Sequence, residues 1–460
     1  MKAELINDLK KIVGEDWVVS NLSQMQSYLY DETELKIRPI ASEDCVVIKP
    51  STSEEVSEII KLANKYLVPV VPRGGGTGLT GAAIPTQSSI VLSLERLNNI
   101  VEFDGNNLMI TVEAGVTLEQ LLEEMKKHDK LFFPVHPGDE GAQIGGMVVE
   151  NAGGVSAVKH GIMRNHIKGV EVVLPTGELV NLGGKLLKDN MGYDLLHMMI
   201  GSEGTLGIVT KATLRLYAKN GNVGTLLISF NSAEEASGVV PKILQEGITP
   251  LAIEYMDRKV ALAAAEHLGL TYPANKGSVD LMFILDEASE DDLYEKCERI
   301  VGMCEENGAV DSLLAETTKD QRNLLEVRSN VYTAYKENVA DALDMAVPPG
   351  SVPEFLKDIN DIAKKYNTIS PAVGHIADGN IHNFLMLDNG RLPDYLEDMR
   401  NEMYNAAISY GGTITAEHGT GKTRKKHMSQ QFTQREIEIM QSIKKSFDPN
   451  GILNPGTIVD

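Results

Sequence analysis

Cysteine is nearly missing: Cys45, Cys297 and Cys304 are the only three in 460 residues, and no C-x-x-C occurs. That excludes an iron–sulfur cluster built from this chain alone, and it is not a disulfide framework. Cys297 and Cys304 stand two helical turns apart, too far to bridge along one helix. Aromatic residues make up 5% of the chain against 42% apolar, so its cores must be aliphatic. No apolar run approaches the roughly 18–20 residues of a membrane helix. The opening Met1-Lys2-Ala3-Glu4-Leu5-Ile6-Asn7-Asp8 has no apolar leader segment. Positive charge is also short: Lys and Arg number 43 against 65 Asp and Glu, a net −22. That argues against a nucleic-acid or anionic-membrane partner and would at most suit a basic protein. These absences describe a soluble, cytoplasmic protein, long enough for two or three domains.

Glycine is abundant and clustered. The segment Ser51–Glu55 opens an amphipathic helix whose apolar face is Val56, Ile59, Ile60 and Ala63. The strand Val68-Pro69-Val70-Val71 follows, and then Pro72-Arg73-Gly74-Gly75-Gly76-Thr77-Gly78-Leu79-Thr80-Gly81. This loop contains a literal G-x-G-x-x-G after a strand, yet it is not a Rossmann fingerprint, which requires the last glycines to open a helix. Here Pro85 opposes a helix, and Ser89–Leu94 reads as another strand. The loop therefore joins strand to strand. Its consecutive backbone N–H groups can still converge on a phosphate; a surface turn would use the same residues. Small residues return at Pro137-Gly138, Ile144-Gly145-Gly146, Asn151-Ala152-Gly153-Gly154 and Gly201–Ile208. Together they suggest a groove where backbone approaches a flat, extended ligand.

Beyond about Lys219, strand-like and helical stretches alternate: Thr225–Phe230 with a helix to about Gln245, Asp280–Leu285 with a helix to Asn307, and a helix over 353–366. This pattern predicts an α+β sheet with helices on one face. Near its end comes Gly374-His375-Ile376-Ala377-Asp378-Gly379-Asn380-Ile381-His382-Asn383. Asp-Gly is the strongest short hairpin signal, and a two-residue loop there sets His375 directly opposite His382. Opposed residues have Cβ atoms about 4.5–5.5 Å apart, close enough for two imidazoles to share a metal. The same pair also suits the wet face of a hairpin. Glu417-His418 follow the strand-like Thr413-Ile414-Thr415. Two histidines and one carboxylate with open positions suit zinc, iron(II) or manganese.

Pro72–Thr77, Ile144-Gly145-Gly146, Asn151–Gly154, Gly192-Tyr193-Asp194-Leu195 and Glu203–Ile208 together resemble the FAD-binding domain of the vanillyl-alcohol-oxidase-type flavoproteins. Within these, the chain is similar over nearly its whole length to the branch of glycolate oxidase catalytic subunits, D-lactate dehydrogenases and D-2-hydroxyglutarate dehydrogenases. The resemblance implies a two-part FAD-binding domain over 1–218, an α+β antiparallel-sheet cap over 219–418 and a C-terminal return over 419–460. It implies that Pro72, Arg73, Gly74, Gly75, Gly76 and Thr77 receive the pyrophosphate. Pro137, Gly138, Ile144, Gly145, Gly146, Asn151, Gly153, Gly154, Glu203, Gly204, Gly207, Ile208 and Asn454 complete the cofactor site. Some relatives bind flavin covalently through a histidine in the glycine loop; this loop has Thr77, so FAD is expected to be noncovalent. Thr457 stands where the family ending leads one to expect lysine.

The resemblance also implies roles in the cap: His375, His382 and Glu417 hold a divalent metal, His418 is the catalytic base, Asn380 lies near the substrate and Arg328 grips its carboxylate. The implied reaction is oxidation of a D-2-hydroxy acid, with hydride passing to flavin N5 as His418 takes the hydroxyl proton. No basic residue lies between Lys336 and Lys357 to meet a second carboxylate, which favours lactate or glycolate over 2-hydroxyglutarate. With no cluster, membrane helix or Rossmann site to carry electrons away, a separate acceptor is expected, an electron-transferring flavoprotein first. The rival readings are a glycolate or D-2-hydroxyglutarate dehydrogenase of the same fold, and a flavin relay subunit without a substrate.

Overall fold

The computed structural model describes residues 3–315 and 317–460; Met1 and Lys2, part of the leader reading above, lie outside them. The chain divides into two compact units. The first holds the chain to Gly153, Gly161–Lys219 and Glu417–Asp460; the second holds Gly154–His160 and Asn220–Ala416.

In the first unit the strands Val46–Ile48 and Val70–Arg73 both run parallel to Ile90–Ser93, which lies between them. The helix Ser53–Tyr66 makes the crossover. Thr52 caps it by accepting the Glu55 N–H, and Val56, Ile59, Ile60 and Ala63 are its buried stripe. Every residue of Val46–Ile48 and Ile90–Ser93 is buried, as a parallel sheet covered on both faces requires. A second sheet is wholly antiparallel, in the order Ile100–Asp104, Met109–Glu113, Ile208–Arg215, Ile167–Val173, Leu179–Gly183. The C-terminal segment returns to the first sheet, where Val70 N–H donates to Ile452 O at 2.8 Å and Asn454 N–H to Val70 O at 2.8 Å.

The second unit is built on a seven-stranded antiparallel sheet. Its order is Ala309–Ala315, Asn222–Phe230, Val279–Glu287, Ala252–Asp257, Ala372–His375, Asn380–Met386, Val339–Ala346. The expectation of helices on one face is corrected here, because both faces are covered. Leu226, Ile228, Leu281, Phe283 and Leu285 pack with the helices Ala233–Gln245, Glu290–Glu306, Val352–Lys365 and Leu396–Ser409. The alternate residues Leu227, Met282 and Ile284 pack with Arg258–Leu268 and Thr318–Ser329. Unbroken apolar runs such as Leu281-Met282-Phe283-Ile284-Leu285 carry that information, since a one-sided sheet would alternate with polar residues. Cys45, Cys297 and Cys304 are free and buried. No helix among the described residues is long and apolar enough to cross a membrane.

Candidate active site

The first unit contains a groove whose floor is the glycine loop. Arg73 ends its strand with a buried guanidinium that donates to Tyr30 O at 2.9 Å and Ser27 O at 2.8 Å. The loop turns over this guanidinium at Gly76, where φ is +76° and a Cβ would fall 2.1 Å from Arg73 Nη2. Only glycine fits that backbone and that gap. Arg73 thus shapes the loop by holding two main-chain carbonyls.

Of the residues singled out for the cofactor, Pro72–Thr77, Pro137, Gly145, Gly146, Gly153, Glu203, Gly204, Gly207, Ile208 and Asn454 line this groove. Gly138, Ile144 and Asn151 do not. Ile144 is packed in the apolar core, and Asn151 ends the helix Ile144–Glu150 in the left-handed conformation. Gly154 belongs to the second unit. The groove suits a flat, extended molecule: glycines recur along its lining, and a Cβ at Gly146 would meet nothing within 4 Å. Glu417 and His418 line the same groove. Glu417 lies against Gly153, where a Cβ would come 2.3 Å from Glu417 Oε2. His418 Nε2 is 3.9 Å from Glu417 Oε1, and its carbonyl accepts from Thr80 Oγ1 at 3.1 Å.

A buried charge cluster beside these residues escaped the sequence reading. Glu203, singled out only for the cofactor, accepts the N–H groups of Thr420 and Gly421, each at 2.7 Å, and so ties down the segment after His418. Burial lifts its carboxyl to about 7 against the pull of those two N–H groups and of Lys422. Glu150 is also in the groove lining, and its Oε2 is buried with no hydrogen-bond partner. Burial, then the nearby Glu203 and Asp31, push its carboxyl well above the ordinary value, and Lys422 only partly opposes them. Lys422 is itself lowered to about 8 by burial. Its ammonium donates to Ala82 O at 2.9 Å, Asn454 Oδ1 at 3.1 Å and Thr457 Oγ1 at 2.9 Å, which accounts for a hydroxyl at position 457. The only signal in the sequence was a lone acid, Glu150, closing an apolar helix.

In the second unit the hairpin differs from its expected register. His375 pairs with Asn380 and Val373 with His382, leaving the four-residue loop 376–379. A two-residue type I′ loop needs positive φ at both central residues, whereas here Gly379 has it (+84°) and Asp378 does not. Asp378 instead accepts the Asn380 N–H at 3.2 Å. A slip of two residues preserves the face, so the imidazoles of His375 and His382 still meet on the diagonal, with ring centroids 5.7 Å apart.

The pairing extends to both sides. Glu254 is opposite His375 and Asp344 is opposite His382, making a polar row across four adjacent strands. Glu254 Oε1 is 2.7 Å from His375 Nδ1, and Glu254 Oε2 is 2.7 Å from Arg328 Nη2. Burial alone would raise the Glu254 carboxyl, but the charges and hydrogen bonds of His375 and Arg328 outweigh it and hold it below the ordinary value. His382 Nδ1 is 3.6 Å from Asp344 Oδ1. Asn380 turns its amide to Asp344 Oδ1 at 2.9 Å and Met345 O at 3.0 Å. Glu254 and Asp344 were missed because an acid within an apolar strand shows no partner until the sheet is assembled. The donors in this row, two imidazoles flanked by carboxylates, are of the kind that holds a divalent metal.

Two family profiles match the chain: "FAD binding domain" over residues 45–183 and "FAD linked oxidases, C-terminal domain" over residues 219–458. A D-lactate dehydrogenase of Archaeoglobus fulgidus is 38% identical over 454 residues, covering 99% of this chain and 99% of the relative. The glycolate oxidase subunit GlcD of Bacillus subtilis is 34% identical, covering 93% of this chain and 91% of its own. Among solved structures, substrate-bound p-cresol methylhydroxylase superposes with a TM-score of 0.80 at 17% identity, covering 99% and 96% of the two chains.

Proposed function

The chain belongs to the FAD-linked oxidases, an FAD-binding family of oxidoreductases, and from that premise we propose that it is a dehydrogenase of D-2-hydroxy acids, with D-lactate its first substrate. The observation that carries the reading is His418, a base in the lining of the glycine-walled groove. Bound there without a covalent link, FAD supplies the hydride acceptor. In this reading His418 takes the substrate hydroxyl proton at a ring nitrogen, a task for which an imidazole is suited. Arg328 receives the substrate carboxylate through its guanidinium fork. Asn380 lies near the substrate. His375 and His382, with Glu417, hold one divalent ion (zinc, iron or manganese), which contributes Lewis acidity. The cofactor contacts are the groove residues named above, and a cap boundary near Lys219 and a return from 419 follow the same reading.

D-lactate is favoured because relatives named D-lactate dehydrogenase, at 38% and 32% identity, match 99% of this chain. Electrons leave to a separate acceptor, an electron-transferring flavoprotein, and the buried free thiols suit the cytoplasm. The test is anaerobic bleaching of the oxidised flavin band by D-lactate, before and after a chelator. Fast bleaching, abolished by the chelator and restored by added metal, is expected. Bleaching indifferent to the chelator removes the metal from the reading, and bleaching only by another hydroxy acid corrects the substrate. No bleaching by any hydroxy acid overturns the dehydrogenase assignment. Rapid transfer to a quinone, but none to an electron-transferring flavoprotein, would overturn the acceptor.

A further inference from the structure

We propose that Glu254 is a positioning residue that serves two working side chains with one carboxylate: it sets the tautomer and ring of His375 so that Nε2 is the nitrogen that would be left for a metal, and it keeps the guanidinium of Arg328 in place for the substrate. The inference rests on the reading of His375 as a metal ligand and Arg328 as a carboxylate clamp, and it adds a residue to which that reading gives no part.

Glu254 lies in the interior of the strand Ala252–Asp257 and has no exposed surface. Its neighbours Ala252, Ile253, Tyr255 and Met256 are buried apolar residues, so an acid at this place removes apolar surface from a core. A buried ion pair seldom stabilises more than apolar packing of the same shape, so stability alone does not explain it. What distinguishes Glu254 is that its two oxygens are divided, Oε1 at 2.7 Å from His375 Nδ1 and Oε2 at 2.7 Å from Arg328 Nη2.

A carboxylate only accepts, so His375 must carry its proton on Nδ1. In the neutral ring that metal binding requires, the lone pair is then on Nε2, on the far side of the ring, and the ring cannot rotate without breaking the hydrogen bond. Carboxylate–histidine pairs of this kind orient ligand histidines in metal sites generally. On the other side, Glu254 Oε2 stands 2.7 Å from Arg328 Nη2 as an ion pair, and Arg328 Nε is buried without a hydrogen-bond partner. The guanidinium is therefore drawn to Glu254 by charge, with N–H donors left over for a substrate carboxylate. Glu254 was within the apolar stretch Ala252–Met256, and only its pairing opposite His375 reveals this role.

Glu254→Gln tests the proposal on the FAD-loaded enzyme. A glutamine of the same shape has one accepting oxygen and must turn its amide donor towards either Arg328 or His375. Facing His375, the amide forces the proton onto Nε2; facing Arg328, it repels the guanidinium. The expected result is a loss of Zn²⁺ affinity of about 10–100-fold, read by competition with a chelating dye, together with a raised KM for D-lactate. FAD content should not change, because the groove lies in the other unit. Glu254→Asp, which keeps the charge but is too short to reach both partners, serves as a second variant if the glutamine form does not fold, and the same losses are expected. Zn²⁺ affinity and KM within twofold of wild type, in either variant with full FAD, would overturn the proposal. Wild-type enzyme that binds no Zn²⁺ and is not bleached by D-lactate would instead sink the functional reading itself.

Discussion

His375 stands directly across its hairpin from Asn380 and meets His382 only on the diagonal. The two-residue slip leaves both rings on one face, where each adjoins a carboxylate on the next strand, Glu254 beside His375 and Asp344 beside His382. If these rings hold the ion, His382→Ala should bind zinc at least tenfold more weakly while retaining its FAD. Zinc content after dialysis and the flavin absorbance check this together. Full zinc occupancy in the variant would remove His382 from the ligand set.

His418 should matter for proton removal and little for cofactor binding. In His418→Asn the rate of flavin reduction by D-lactate should fall by about 10²–10⁴, with the oxidised flavin spectrum unchanged. Stopped-flow measurement of that single step separates it from reoxidation. A decrease of less than tenfold would assign the base elsewhere.

Gly76→Val should empty the groove. The position has φ +76°, and the new Cβ would lie 2.1 Å from a guanidinium that two main-chain carbonyls hold in place. Backbone strain alone costs about 1–3 kcal/mol, and the Arg73 hydrogen bonds are lost as well. The measurement is the ratio of flavin to protein absorbance after gel filtration, expected to fall to a small fraction of wild type.

Glu150→Gln should stabilise the protein, and only at higher pH. A carboxyl raised in the folded state stabilises fully below its unfolded value, near 4.5, and loses that contribution as pH rises through the folded value. Glu203 has the same sign, over a window from about 4.5 to about 7. The variant should therefore melt with the wild type near pH 4 and above it at pH 8. A difference that does not depend on pH would mean that folding leaves the Glu150 carboxyl at its ordinary value.

The sheet of the second unit is covered on both faces, so neither side of its strands should accept a charge. Met282 faces one apolar cluster and Phe283 the other, and both are fully buried. Met282→Asp and Phe283→Asp should each destabilise by several kcal/mol, because an unpaired charge is taken out of water. Denaturant titration compares them. A well-tolerated Met282→Asp would show that its face is open.

By itself the sequence determined that the glycine loop joins two strands, because Pro85 and the β-branched run after it forbid a helix. It determined that the chain is a flavoprotein of this family, because contiguous motifs carry the loop, the hairpin and Glu417-His418. It also marked the residues worth testing. Only the tertiary structure decided which of them meet. It took Gly138, Ile144 and Asn151 out of the groove wall and kept Arg73 under the loop as a support. It moved the hairpin register by two, since one positive φ at Gly379 favours a longer loop than Asp-Gly suggests. Glu150, Glu203 and Lys422, and likewise Glu254 and Arg328, came to feel one another's charge only when segments far apart in sequence came together. Local pattern encodes backbone conformation, which neighbours in the chain control. The charge state and orientation of a buried side chain depend on what the fold brings against it.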